Sequence, residues 1–182
     1  MRVIAGAARG TRLLVPKHKS VRPSSDRTRQ ILFDTLRGWV PACEAVLDLF
    51  AGSGAIGIEA LSRGAQLAYF VEKSRAVVQA LLKNLEKTHL KARARVVIAD
   101  AFSFLSKSPP QEFDCIFIDP PYAKSYSQKA IAMLAKEGWL AKHGVCVVEE
   151  SRRSDFEPPE RFTVLTEKHA GDTTLWFLMQ KE

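Results

Sequence analysis

Residues 48–57 read Asp48-Leu49-Phe50-Ala51-Gly52-Ser53-Gly54-Ala55-Ile56-Gly57. The run over 45–50 is apolar except for Asp48, the pattern of a strand buried on both faces. A helical pattern over 56–62 follows and ends at Gly64. Gly52, Gly54 and Gly57 therefore satisfy G-x-G-x-x-G between a strand and a helix. Glycines there permit a tight turn and let the backbone pass close to a nucleotide-like ligand.

Working outward, the same alternation repeats. Towards the C-terminus, apolar runs over 67–71, 95–99, 115–118 and 145–149 read as strands, and the patterns over 74–89, 101–106 and 127–136 as helices. The runs over 162–167 and 174–179 flank Gly171-Asp172 and read as a hairpin. Five strands alternate with helices and two more pair at the end. The expected fold is α/β, a doubly wound, mostly parallel seven-stranded sheet with an antiparallel C-terminal hairpin. Towards the N-terminus, 3–5 and 13–15 read as a small β-hairpin, and 16–24 as a basic, proline-punctuated loop. A helix is expected over 26–39, capped by Ser24 or Ser25, with Ile31, Leu32, Thr35 and Leu36 on one face and Pro41 as its stop. The chain thus divides into an N-terminal extension, 1–40, and an α/β domain, 41–182.

The strand ends carry the chemistry. Asp48 ends the first strand. Glu72, 20 residues after Gly52, ends the second, where an acid can accept both hydroxyls of a ribose. Asp100-Ala101 ends the third, within reach of an adenine amine. The glycine turn alone fits either a dinucleotide or S-adenosylmethionine. Asp48 favours the latter, because a carboxylate suits the ammonium of its amino-acid part and would repel a pyrophosphate. The fourth strand ends in Asp119-Pro120-Pro121-Tyr122. An exocyclic amine on a base is a poor nucleophile, since its lone pair is delocalised into the ring. A carboxylate and a fixed backbone carbonyl can accept its two N–H bonds and stabilise the positive charge that develops on attack. Tyr122 can stack on the base. A nicotinamide-dependent oxidoreductase, or a cofactor-binding domain without activity, is the alternative of a different class.

Composition sets the bounds. The chain has 182 residues, 46% of them hydrophobic, enough for one sizeable core. No apolar run reaches the ~18 residues of a membrane span. The first residues lack the long apolar stretch of a secretory signal. Cys43, Cys115 and Cys146 are widely spaced and read as buried thiols of a reducing cytoplasm. No His/Cys cluster has metal-ligand spacing. The net charge is +7. Residues 1–40 hold nine Lys/Arg against two acids and carry all of that excess, while 41–182 hold 18 of each sign. Such asymmetry points to a polyanionic partner. Arg9, Arg12, Lys17, Lys19 and Arg22, in or beside the hairpin and loop, are the expected phosphate contacts. Arg27 and Arg29 sit on the following helix, close enough to the α/β domain to pack over its cofactor.

The strand order, the Asp48–Gly54 turn and the Asp-Pro-Pro-Tyr strand end resemble class I S-adenosylmethionine-dependent methyltransferases of the amino-group type. Met1 aside, the N-terminal Arg2-Val3-Ile4-Ala5-Gly6, Arg9-Gly10, Leu13, residues 22–29 and Leu32-Phe33 resemble more narrowly the bacterial 16S ribosomal RNA guanine-N2 methyltransferase family. This similarity covers essentially the whole chain. Gln30 departs from it, where a glutamate is expected, as does Thr173-Thr174, where relatives have an apolar or aromatic residue. The resemblance implies methyl transfer from S-adenosylmethionine to N2 of a guanine in 16S ribosomal RNA, free or within the small subunit. Adenine or cytosine in DNA, or an amide in a protein, is the alternative acceptor. The resemblance further implies a catalytic set of Asp119, Pro120 and Tyr122 and a cofactor set of Asp48, Phe50, Ala51, Gly52, Ser53, Gly54, Gly57, Glu72, Asp100 and Ala101, with no metal.

Overall fold

In a computed structural model, residues 1–16, 25–121, 125–136 and 138–181 are described. Seven strands form one sheet: β1 (Ala45–Asp48), β2 (Leu67–Glu72), β3 (Ala94–Ile98), β4 (Phe113–Ile118), β5 (Leu140–Ser151), β6 (Phe162–Ala170) and β7 (Thr173–Gln180). Their order across the sheet is β3-β2-β1-β4-β5-β7-β6. Strands β1 to β5 are mutually parallel. Strand β7 runs antiparallel between β5 and β6, so the hairpin enters the sheet with its second strand inward. Its turn is two residues long, closed by Ala170 opposite Thr173, with Gly171 at φ 61°.

Among the described residues, α1 (Asp26–Thr35) precedes the sheet, and α2 (Ala55–Ser62), α3 (Arg75–Lys87), α4 (Ala101–Leu105) and α5 (Tyr126–Leu134) connect the parallel strands. Side chains alternate across the sheet as strand geometry requires. Cys115 and Phe117 of β4 face a core shared with α1, α2, α3 and the N-terminal segment. Ile116 and Ile118 face a second core shared with α4 and α5. All three cysteines are buried and free. Among the described residues no helix is long and apolar enough to cross a membrane.

The N-terminal segment differs from expectation. The hairpin is a single antiparallel bridge, Arg2 to Arg12. Val3 N–H donates to the Thr11 carbonyl and Gly10 N–H to the Val3 carbonyl within the segment, and further backbone groups are satisfied by the body of the molecule. Ile4 and Ala5 donate to the Glu59 carboxylate at 2.8 and 3.0 Å. Ala7 donates to the Ser62 carbonyl at 2.8 Å, and Leu14 to Asn84 Oδ1 at 2.7 Å. The first helix is also shorter than 26–39. It starts at the Ser25 cap, whose hydroxyl accepts from Thr28 N, and ends at Thr35. A 3-10 turn at Val40–Ala42 follows, because Pro41 has no N–H to extend an α-helix. Of the expected face, Leu32 and Leu36 are buried and Ile31 packs partly buried against the core, while Thr28, Arg29 and Phe33 are buried where the expectation did not place them. A fully buried arginine does not register as an apolar position in a periodicity reading. Strands β5 and β6 extend beyond their apolar cores, each through a register irregularity.

Candidate active site

The sheet order reverses direction between β1 and β4, the position where ligands bind in open parallel sheets. A cleft of about 670 Å³ opens there. Asp48, at the end of β1, and Asp119, after β4, lie on neighbouring strands joined by the Leu49 N–H to the Phe117 carbonyl at 3.0 Å. Both line the cleft, together with Phe50, Ala51, Gly52, Ser53, Glu72, Asp100, Ala101, Pro120 and Pro121. Thus the strand-end acids, the glycine turn and the described part of the Asp-Pro-Pro motif share one cavity.

Asp48, Glu72 and Asp100 are each anchored by backbone N–H groups. Asp48 is 1% exposed and accepts from the Gly57 N–H at 2.9 Å. Burial pushes its carboxyl up to about 7, the Gly57 N–H opposes the rise, and the negative charges of Asp119 and Glu72 add to it. Glu72 takes the Gly52 N–H at 3.1 Å on one oxygen and the Ser74 N–H at 2.8 Å on the other. It therefore fixes the tight turn and still has lone pairs for a ligand. Asp100 caps α4 through the Phe102 and Ser103 N–H groups. A carboxyl held up mainly by burial, beside two further acids, gains from a cationic group and rejects a pyrophosphate. The residues present therefore fit S-adenosylmethionine, which carries both a sulfonium and an ammonium.

Two expected cofactor residues sit elsewhere. Gly54 and Gly57 do not line the cleft. Gly54, at φ 81°, begins α2, and a Cβ there would lie 2.1 Å from Leu81 Cδ1. A Cβ on Gly57 would lie 2.3 Å from Phe70 Cε1. Both glycines let α2 pack closely on its neighbours, which is a structural role in this turn. Arg9 and Arg12 are exposed. Lys17, Lys19, Arg22 and Tyr122 lie outside the described residues.

Other lining residues escaped the sequence reading. Met1, Ser25 and Thr28 bring the N-terminal segment to the cleft, and Gly171, Asp172 and Thr173 bring the hairpin turn. Tyr126 also lines it and stacks on Phe50 at 6.4 Å between ring centroids, with Phe102 edge-on to both. No periodic or motif signal joins such distant positions. Tyr126 could have been suspected, being an aromatic at the start of the helix after the Asp-Pro-Pro motif. Arg29 turns away from the cleft. Its guanidinium binds Asp26 at 2.7 Å and the Arg2 carbonyl at 2.8 Å, and lies 3.6 Å from the buried Glu59.

A family model described as conserved hypothetical protein 95 matches residues 1–179. The chain belongs to this family. A relative in Escherichia coli (strain K12), ribosomal RNA small subunit methyltransferase D, is 40% identical over 185 residues, covering 100% of this chain and 90% of that protein. The Haemophilus influenzae protein of the same name is 36% identical over 173 residues, covering 94% and 89%. The solved structure of Escherichia coli yhhF, described as a candidate methyltransferase, aligns with a TM-score of 0.88 at 36% identity, covering 100% of this chain and 98% of that chain. These two curated relatives are named as small-subunit ribosomal RNA methyltransferases, and the seven-stranded mixed sheet is the methyltransferase fold.

Proposed function

We propose that the chain transfers a methyl group from S-adenosylmethionine to the exocyclic N2 amine of a guanine in the 16S ribosomal RNA of the small subunit. One observation carries this reading. Asp119 and Pro120 share a single cleft with the acid-rimmed glycine turn, in a chain whose relatives are named for methylation of small-subunit RNA.

Bound in the cleft, S-adenosylmethionine supplies an electrophilic methyl on a sulfonium sulfur and leaves as S-adenosylhomocysteine. Asp48 would face its ammonium, Glu72 its ribose, and Asp100 with Ala101 its adenine. The Asp119 carboxylate and the Pro120 carbonyl accept the two N–H bonds of the guanine amine and aim its lone pair at the methyl carbon. Transfer of the methyl to nitrogen, with the C–S bonding pair left on the departing sulfur, would build positive charge on the nitrogen, where Asp119 would stabilise it. The nitrogen then loses one N–H proton to Asp119, from which it passes to water. Tyr122, which follows the Asp-Pro-Pro motif in the sequence, would stack on the base. N2 lies in the minor groove of a paired helix, so the guanine must be looped out or flipped.

The test is transfer of labelled methyl from S-adenosylmethionine to small-subunit RNA and particles lacking the modification, followed by nucleoside mapping. N2-methylguanosine at one position is expected. Label on adenine, on cytosine or on protein would overturn the assignment.

A further inference from the structure

The balance of 41–182 conceals a second concentration of charge. Residues 73–95 hold seven Lys/Arg against Glu86 alone, a local +6 offset by an equal negative excess in the rest of that range. Most of this stretch is α3, and the structure packs α3 directly against the N-terminal basic segment. Asn84 is fully buried. Its amide takes the Leu14 N–H at 2.7 Å and donates to the Leu14 carbonyl at 3.0 Å. It also donates to the carbonyl of Ser53, a cleft residue, at 2.9 Å. One helical turn on, Lys87 donates to the Arg12 carbonyl at 2.7 Å.

Two basic segments, about 70 residues apart in the chain, are therefore one continuous surface beside the cleft. Lys83 and Lys87 are exposed on α3, as are Arg9 and Arg12 on the N-terminal segment. Bonding to a carbonyl leaves the Lys87 charge unneutralised. Glu86 pairs at 2.7 Å with Lys91, in the turn that follows the helix, so the helix acid is balanced without drawing on Lys83 or Lys87. Lys73, just before α3, lines the cleft itself.

We propose that the Lys83–Lys87 face of α3 is the second half of the RNA surface, holding the phosphate backbone jointly with Arg9 and Arg12. This rests on the reading of the substrate as RNA. A backbone held on both sides of the Arg12–Lys87 junction is fixed relative to the glycine turn through Asn84. The flipped base would then enter the cleft in a defined register.

The experiment measures binding of unmethylated 16S ribosomal RNA across a salt series, for the wild type, Lys83→Ala/Lys87→Ala and Lys83→Glu. The double variant should lose about 1.4 to 1.8 units of the salt slope, since each lost phosphate contact removes roughly 0.7 to 0.9. Its RNA dissociation constant should rise about tenfold or more. S-adenosylhomocysteine affinity, read by calorimetry, should not change. Lys83→Glu breaks no hydrogen bond of the fold and should weaken RNA binding even if the double variant is unstable. Wild-type RNA affinity and slope in Lys83→Glu would overturn the proposal while methylation by the wild type leaves the substrate reading intact. A wild type that neither binds nor methylates RNA would overturn both.

Discussion

Asp119 is half-buried after β4, in the same cleft as the glycine turn. If it holds the accepting amine, Asp119→Ala should lose turnover by roughly a hundredfold or more, the ~3 to 4 kcal/mol typical of one preorganised charge-stabilising group. Affinity for S-adenosylhomocysteine should change little, so single-turnover kinetics beside calorimetry separate the two effects. Asp48 makes a prediction about pH. Its carboxyl holds a proton up to about 7 in the folded chain, against 3.8 for the ordinary group. Between those values the folded state binds more protons than the unfolded one. The stability from this group is complete below the unfolded value and is lost as pH rises through the folded one. The melting temperature of the unliganded protein should therefore fall as pH rises from about 4 to about 7 and level off above that, and Asp48→Asn should flatten that part of the profile. Identical profiles in thermal melts would remove Asp48 as the cause.

At the scale of elements, α2 is the hub that ties the N-terminal segment to the sheet. Glu59 is fully buried and receives the Ile4 and Ala5 N–H groups and Arg63 Nε at 2.7 Å. Removing it leaves two backbone donors and Arg63 Nε without this partner, and takes one of the two carboxylates beside the buried Arg29, the other being Asp26. Glu59→Ala should destabilise the fold by about 3 to 5 kcal/mol, measured by denaturant titration, a far larger effect than loss of a surface pair. The sequence made most elements legible, since the strands alternate or run apolar and Ser25, Ser74 and Asp100 stand at helix starts as caps. It mistook the role of Arg29, which counts as one of the basic residues of the extension but is fully buried. The partners that make its burial tolerable come from Arg2 and Glu59, 27 and 30 positions away in the chain. No local pattern reports such pairings.

For the molecule as a whole, the charge distribution gives the most direct prediction. An Arg9/Arg12/Lys17/Lys19→Ala variant should bind 16S ribosomal RNA with a salt slope reduced by roughly three units, and should still bind S-adenosylhomocysteine. An unchanged slope would mean that the extension only coats the surface. The sequence by itself determined the strand and helix succession, the glycine turn, the acids at four strand ends and the basic bias of residues 1–40. All of these are written in local period, turn chemistry and composition, which short-range sterics and hydrophobic burial enforce. Only the tertiary structure decided that Gly54 and Gly57 serve packing, that Met1, Tyr126 and the hairpin turn share the cleft, and that α3 adjoins the basic segment. Those facts depend on which distant surfaces meet when the sheet closes its two cores. Long-range contact follows from the fit of whole faces, not from the spacing of residues along the chain.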